Sequence, residues 1–383
     1  MTTRILTRFI CVSCLVCSLG FTPGSSAFSQ EPGEAEFNKQ LEDWKKIITE
    51  LQLLRQEYYL AQKYDESVDL RKKYEATKKS GDQKIREMKL AVAKAYREKP
   101  REGTVYYNFL INSLTFDLEK TEEQTTAYEL AKALNSQPIT RSDIARRVGM
   151  SLFIHNEYDE AQKLLKYAMA RNEAGVEGFE FQLQLIPRLK PLWEKELKQR
   201  EKDKKAKLPR AVFETTKGRF VIELYEDNAP NTVKNFVKLA RQGFYNDLDF
   251  FYVLPFQFAT SGSPNSRLTG SPGYVLPNEG NDPEKRRGNF RGTLCVPALG
   301  NDNTNLAGSM FMITFGPYSE ANTSKYCNFG RIIEGMEIVD SLNRSEGLDG
   351  KAFENFTPDK ITTVTVENLR DHNYEPEIIR LSN

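Results

Sequence analysis

Two periodicities divide this chain. From about residue 34 to 205, apolar side chains recur at steps of three and four, as at Leu41, Trp44, Ile47, Ile48 and Leu51. That spacing lines one face of an α-helix. The same stretch is rich in Glu, Lys, Gln, Leu and Ala and poor in glycine, a composition that favours helices. Beyond Pro209 the period becomes two. Ala211 to Thr216 and Arg219 to Tyr225 alternate apolar with polar residues across Lys217-Gly218, the pattern of a β-hairpin. Pro230 then suits the first position of a helix, where its missing N–H is no loss. Val233, Phe236, Val237 and Ala240 would share the apolar face of that helix, with Gly243 ending it. Further short strands follow, punctuated by Gly, Asn and Pro.

Within the helical half, Gly149, Ala161, Leu165 and Ala168 fall where a tetratricopeptide-like helix pair places small and packing residues. Helix axes approach closely only where side chains are short. Asn156 to Ala161 echoes Gln62 to Ser67, each with an aromatic at a turn and acidic residues opening the next helix, where the helix dipole favours them. Glu123 to Leu134 is a third candidate helix. An irregular helical-hairpin domain over 34–205 is expected, working either as a groove for a peptide or protein partner or as a spacer or dimerisation element. The charge alternation of Glu194 to Lys207 predicts a solvated helix end, running into a linker at 206–210.

Composition narrows the function classes. With 54 basic against 53 acidic residues, the chain shows no footprint for nucleic acid. Arg4 and Arg8, the apolar run Phe9 to Phe21 and the small residues Ser25-Ser26-Ala27 read as an export signal over residues 1–27. The run is too short to span a bilayer, so no stable membrane span is expected after cleavage, and the protein is expected to be periplasmic or secreted. Cys11, Cys14 and Cys17 fall in the signal, which leaves Cys295 and Cys327; an oxidising compartment would permit a disulfide between them. His155 and His372 lack a cluster with metal-ligand spacing, so no metal and no cofactor is expected. Three Asn-x-Ser/Thr patterns, at Asn322, Asn343 and Asn355, matter only on a eukaryotic secretory route. The loop Gly300 to Asn305 has no diagnostic calcium spacing.

Six ordered blocks carry a resemblance: Val212 to Leu224, Ala229 to Phe236, Gly243-Phe244-Tyr245, Arg291 to Leu294, Gly308-Ser309 before Phe311, and Phe329 to Met336. Residues 211–370 resemble the cyclophilin-type peptidyl-prolyl cis-trans isomerases. The resemblance implies an antiparallel β-barrel, hence a multidomain α + β chain: a helical-hairpin domain, a cyclophilin-like barrel and a tail at 371–383. It also implies acceleration of rotation about the bond preceding proline, whose uncatalysed barrier is about 18–20 kcal/mol because rotation breaks amide resonance. An arginine that donates to the pyramidalising prolyl nitrogen is central to that chemistry.

The family motif is Phe-His-Arg-x-Ile/Val-Pro-Gly-Phe-Met-x-Gln-Gly-Gly, and the matching residues run from Phe250 to Gly262. Phe250, Pro255 and Gly262 hold the register. Tyr252 takes the arginine place, Gln257 the phenylalanine place, Phe258 the methionine place and Thr260 the glutamine place. Elsewhere Ala298, Met310, Met312 and Tyr326 fall at pocket positions, and strand alternation predicts Met310 and Met312 on one face opposite Phe311. The expected substrate site is therefore Gln257, Phe258, Thr260, Ala298, Met310, Met312 and Tyr326, with Tyr252 as the only catalytic candidate. No arginine or lysine lies between Gly243 and Gly262; Arg267, Arg286, Arg287 and Arg291 could reach in only from later loops. Three readings stand open: a binder of proline-containing or unfolded polypeptide with weak isomerisation, an active isomerase assisting folding, and an interaction module whose helical half does the work.

Overall fold

The computed structural model describes residues 34–61, 64–121, 123–171, 179–268, 270–300, 303–317, 324–347, 350–354 and 356–380. The expected export signal and its cysteines lie outside the described residues, as do Asn301, Asp302, Asn322 and Asn355. Among the described residues no helix is long and apolar enough to cross a membrane. The chain forms two compact units, one of residues 1–121 and 126–148, the other of residues 122–125 and 149–383.

The first unit is helical: α1 (Glu34–Leu60), α2 (Tyr64–Glu98), α3 (Val105–Phe116), a π-helical turn (Asp117–Thr121), most of α4 (Gln124–Leu134) and the start of α5 (Ser142–Ile154). The three-and-four periodicity has its expected result, since Leu51 and Leu54 of α1 bury against Tyr74 of α2. Phe37 packs edge-on against Tyr106 and Phe109. Thr104 caps α3, its hydroxyl accepting from the Tyr107 N–H at 3.2 Å.

The second unit opens on a helical hairpin of the end of α5 with α6 (Tyr158–Arg171). A Cβ at Gly149 would sit 2.9 Å from the Leu165 side chain, so the small residue is required by close helix approach. Asn156 turns the chain with a left-handed φ of 67°, and the Tyr158 hydroxyl donates to its side-chain oxygen at 2.9 Å. Helix α7 (Glu180–Ala206) follows.

Here the structure departs from the expected solvated helix end. Glu196 and Asp203, on one face of α7, are buried. Both carboxylates accept from Arg287, at 2.8 and 2.9 Å, and the guanidinium lies 3.7 Å from the centre of the Tyr225 ring. Trp193 meets Phe290 edge-on at 4.8 Å. The charge run is amphipathic in charge rather than in hydropathy: its intervening lysines are exposed while two acids face a buried arginine.

Strands β1 (Arg210–Thr215) and β2 (Gly218–Leu224) form the expected hairpin, followed by α8 (Pro230–Arg241). Then come β3 (Tyr252–Leu254), β4 (Phe258–Ser261), β5 (Tyr274–Pro277), β6 (Thr293–Leu299), β7 (Asn305–Ala307), β8 (Phe311–Thr314), β9 (Tyr326–Glu334), helix α9 (Met336–Asp340), β10 (Ile361–Glu367) and β11 (Ile379–Arg380). All pairings are antiparallel. One path runs β10-β1-β2-β9-β6, and from β6 through β8 and β4 to β3. The two ends meet, because the lead-in to β3 bonds to the approach to β10: Asp247 N–H to the Ile361 carbonyl, Ile361 N–H to Leu248, and Phe250 N–H to Asp359. The sheet therefore closes on itself around a core of Phe213, Phe220, Phe236, Tyr245, Phe311 and Phe329. Val233, Phe236, Val237 and Ala240 of α8 seal that core as their spacing predicts.

Candidate functional site

Strand alternation sorts β3, β4, β8, β6 and β9 into two faces. Val253, Ala259, Phe311, Ile313, Leu294, Val296, Cys327 and Phe329 enter the barrel core. The alternate residues form a ladder on the other face. Tyr252 lies opposite Thr260, Thr260 opposite Met312, Met312 opposite Cys295, and Cys295 opposite Asn328. Phe258 and Leu254 make a parallel rung beside Tyr252, and Pro297 with Tyr326 a rung beyond Cys295.

The ladder thus brings together Tyr252, Phe258, Thr260, Met312 and Tyr326 of the expected site. Ala298 lies on the other side of β6, packed against the barrel core, and Pro297 takes its place on the ladder face. Gln257 is exposed in the turn between β3 and β4. Met310 precedes β8 and belongs to the core cluster, whereas Met312 does not. The two methionines do not share a face, because the alternation that would pair them starts only at Phe311.

The turn carries a second departure. Phe256, half-buried, has a left-handed φ of 57° at the motif's glycine position, a conformation costing a non-glycine residue about 1–2 kcal/mol. The glycine ending the motif is retained for a visible reason: at Gly262, φ is 84° and a Cβ would lie 2.3 Å from the Ser309 carbonyl oxygen.

At the head of the ladder the Tyr252 ring packs edge-on against Phe258 at 5.9 Å. Partial burial, and then the neighbouring Glu346 carboxylate, hold its phenol above the ordinary tyrosine range. Tyr252 is therefore a neutral donor beside an acid. Three of the four loop arginines are engaged elsewhere. Arg286 donates to the Gly280 carbonyl at 2.7 Å, Arg287 serves α7, and Arg291 donates to the Phe315 carbonyl and to Asp340 at 2.9 and 2.6 Å. Arg267 is exposed on the loop after β4.

The far end of the ladder is polar and covered. The Asn289 amide donates to the Cys295 sulfur at 3.8 Å, and Asn328 donates to the Arg287 carbonyl at 2.8 Å. Cys295 and Cys327 are free. Cys327 lies opposite Val296 rather than Cys295, and this one-residue offset turns the two thiols to opposite faces of the sheet. Burial pushes both up to about 12. His155 bonds to the Ser151 carbonyl and His372 to Glu226, at 2.9 and 2.6 Å.

Asn328, Pro297 and Glu346 were not among the expected site residues. Alternation from Tyr326 gives Asn328 the same face, so that signal was present. Glu346 reaches Tyr252 through a long-range packing that no local pattern encodes.

The second unit is thus a closed antiparallel barrel capped by α8, with a ladder of aromatic, methionine and polar side chains on the other face of β3, β4 and β8. The family model for cyclophilin-type peptidyl-prolyl cis-trans isomerase/CLD matches residues 210–366. A peptidyl-prolyl cis-trans isomerase of Synechococcus elongatus is 35% identical over 36% of this chain and 92% of its own length. That of Helicobacter pylori strain 26695 is 32% identical over 39% and 88%, and peptidyl-prolyl cis-trans isomerase B of Bacillus subtilis 35% over 32% and 82%. A solved Cryptosporidium parvum cyclophilin-type isomerase is 24% identical over 41% of this chain and 96% of its own, with a TM-score of 0.36. The chain belongs to the cyclophilin-type peptidyl-prolyl cis-trans isomerase family through its second unit.

Proposed function

We propose that the barrel receives proline-containing or unfolded polypeptide on the face built by Tyr252, Phe258, Thr260 and Met312, and isomerises its proline bonds slowly or not at all. One observation carries this reading: the catalytic guanidinium position holds Tyr252 beside Glu346, while Arg286, Arg287 and Arg291 are engaged elsewhere. An arginine keeps its charge at any working pH and offers donors to a nitrogen losing its amide resonance. A neutral phenol offers one. Removing a charge-stabilising donor costs about 10²–10³ in rate. The aromatic pair and the methionine still supply apolar, adaptable surface of the kind that suits irregular chains.

A second reading makes the helical half, residues 34–205, the working part, with a protein partner of its own, and the barrel an interaction module. The low exposure of Met312, 7%, favours it, because a filled face offers a peptide little depth. The two readings separate in one titration. Fluorescently labelled, permanently unfolded polypeptide is added to the full chain and to its Phe258→Asp variant. Micromolar binding that weakens at least about tenfold in the variant supports the first reading. Binding untouched by the variant, with circular dichroism unchanged, transfers the activity to the helical half. The tetratricopeptide-like character of Gly149 to Ala168 supports a partner groove there. The pattern of Arg4, Arg8, the apolar run and Ser25-Ser26-Ala27 supports an exported, periplasmic or secreted setting.

A further inference from the structure

The neighbour of Tyr252 suggests which polypeptides the face selects. Glu346 is half-buried and stands beside the Tyr252 phenol. Among the described residues it has no cationic partner, although cations are near in sequence and fold. Arg344 turns its guanidinium inward, donating to the Leu342 and Asp340 carbonyls at 2.7 and 3.1 Å and lying over the Phe315 ring at 4.4 Å. Lys360 pairs with Asp249 at 3.5 Å. The backbone holds Glu346 in place: the adjacent Ser345 hydroxyl donates to the Val253 carbonyl at 3.0 Å, the Val253 N–H donates back at the same distance, and Glu346 itself bridges to Ala352. A carboxylate on a held backbone thus lies beside the phenol at the head of the ladder, where the family motif supplies a cation. The sign of the local field is reversed.

We propose that Glu346 makes this face selective for polypeptides carrying a lysine or arginine beside proline, the basic side chain pairing with the carboxylate while the proline rests against Tyr252, Phe258 and Met312. The inference rests on the binding reading above and names its substrate class. Because Glu346 is only half-buried, attraction and repulsion each contribute modestly, and together they set about a tenfold difference between oppositely charged peptides.

The test uses the full chain and three labelled peptides, Ala-Lys-Pro-Lys-Ala, Ala-Gln-Pro-Gln-Ala and Ala-Glu-Pro-Glu-Ala, read by fluorescence anisotropy at low salt. The lysine peptide is expected to bind about tenfold more tightly than the glutamate peptide, with the glutamine peptide between. Glu346→Gln should shrink the difference to about threefold or less, and Glu346→Lys should reverse the order. Salt near 0.5 M should compress the wild-type difference, since screening then acts within a few ångströms. Equal binding of all three peptides would overturn the selectivity while leaving the binding reading intact. A lysine preference unchanged in both variants would overturn the role of Glu346. Binding of none of the peptides, under conditions where unfolded polypeptide also fails to bind, would remove the binding reading and the selectivity with it.

Discussion

The inner and outer faces of the same strands have had different fates. On β3, β4 and β8 the inward residues Val253, Ala259, Phe311 and Ile313 are apolar and buried in one core with Phe213, Phe236 and Phe329. One position away, outward, stand Tyr252, Phe258, Thr260 and Met312, of which Tyr252 and Thr260 depart from the family motif at its arginine and glutamine places. A strand's two faces are constrained independently. Core positions must fill a close-packed volume, where losing a methylene is felt; the outward Thr260 and Met312 are buried too, but outside that core cluster. The six blocks that make the family recognisable largely serve the core, which is why the fold is plain while the alternate residues differ from the motif.

The largest effect should come from breaking the inner face. Phe311→Ala is expected to cost about 4–5 kcal/mol, within the range for large-to-small core substitutions, measured as a lower denaturant midpoint at unchanged slope. A loss below about 1 kcal/mol would show that the two faces do not differ in this way.

Next is the clamp of α7, which holds the Arg287 loop against the far end of the ladder. Glu196→Ala leaves a buried guanidinium short of a partner and should cost about 3 kcal/mol. Burial alone would raise the Glu196 carboxyl, but Arg287 and Arg200 outweigh it and hold the group below its ordinary value of 4.5. Its stabilisation is therefore full above that value and is lost as pH falls through the lower folded value. Urea midpoints measured from pH 7 to pH 3 should fall less steeply in Glu196→Gln than in the unmodified chain; parallel curves would contradict the pairing.

Smaller and opposite in sign is Thr260→Val. The Thr260 hydroxyl is 1% exposed with its residue and has no hydrogen-bond partner among the described residues. Removing an unsatisfied buried hydroxyl while keeping the shape should stabilise by about 0.5–1 kcal/mol. Thermal denaturation checks it, and a clear drop in midpoint would show that the hydroxyl is needed.

How much of this was legible follows the range of the interactions. Period-two alternation marked the β1–β2 hairpin, and the single apolar face of α8 marked its seat on the core. Gly149 and Leu165 announced a close helix pair because small residues at that spacing have a local purpose. The burial of Glu196 and Asp203 was not legible, since a charge run reads the same whether its acids meet water or an arginine far along the chain. Met310 was misplaced for a similar reason: alternation holds only inside a strand, and β8 begins one residue later. Tyr252, Thr260 and Met312 share one face because strand pairing fixes their register. Glu346 was missed because its role depends on where a distant loop comes to rest.

The most direct test of the central claim, an intact scaffold with altered chemistry, is a protease-coupled proline isomerisation assay on the full chain beside Tyr252→Arg and Tyr252→Phe. A rate at the uncatalysed background is expected for the chain itself and for Tyr252→Phe, with a rise of about tenfold or more in Tyr252→Arg as the missing charge returns. A rate far above background in the unmodified chain, abolished by Tyr252→Phe, would contradict it and make the tyrosine the catalytic donor.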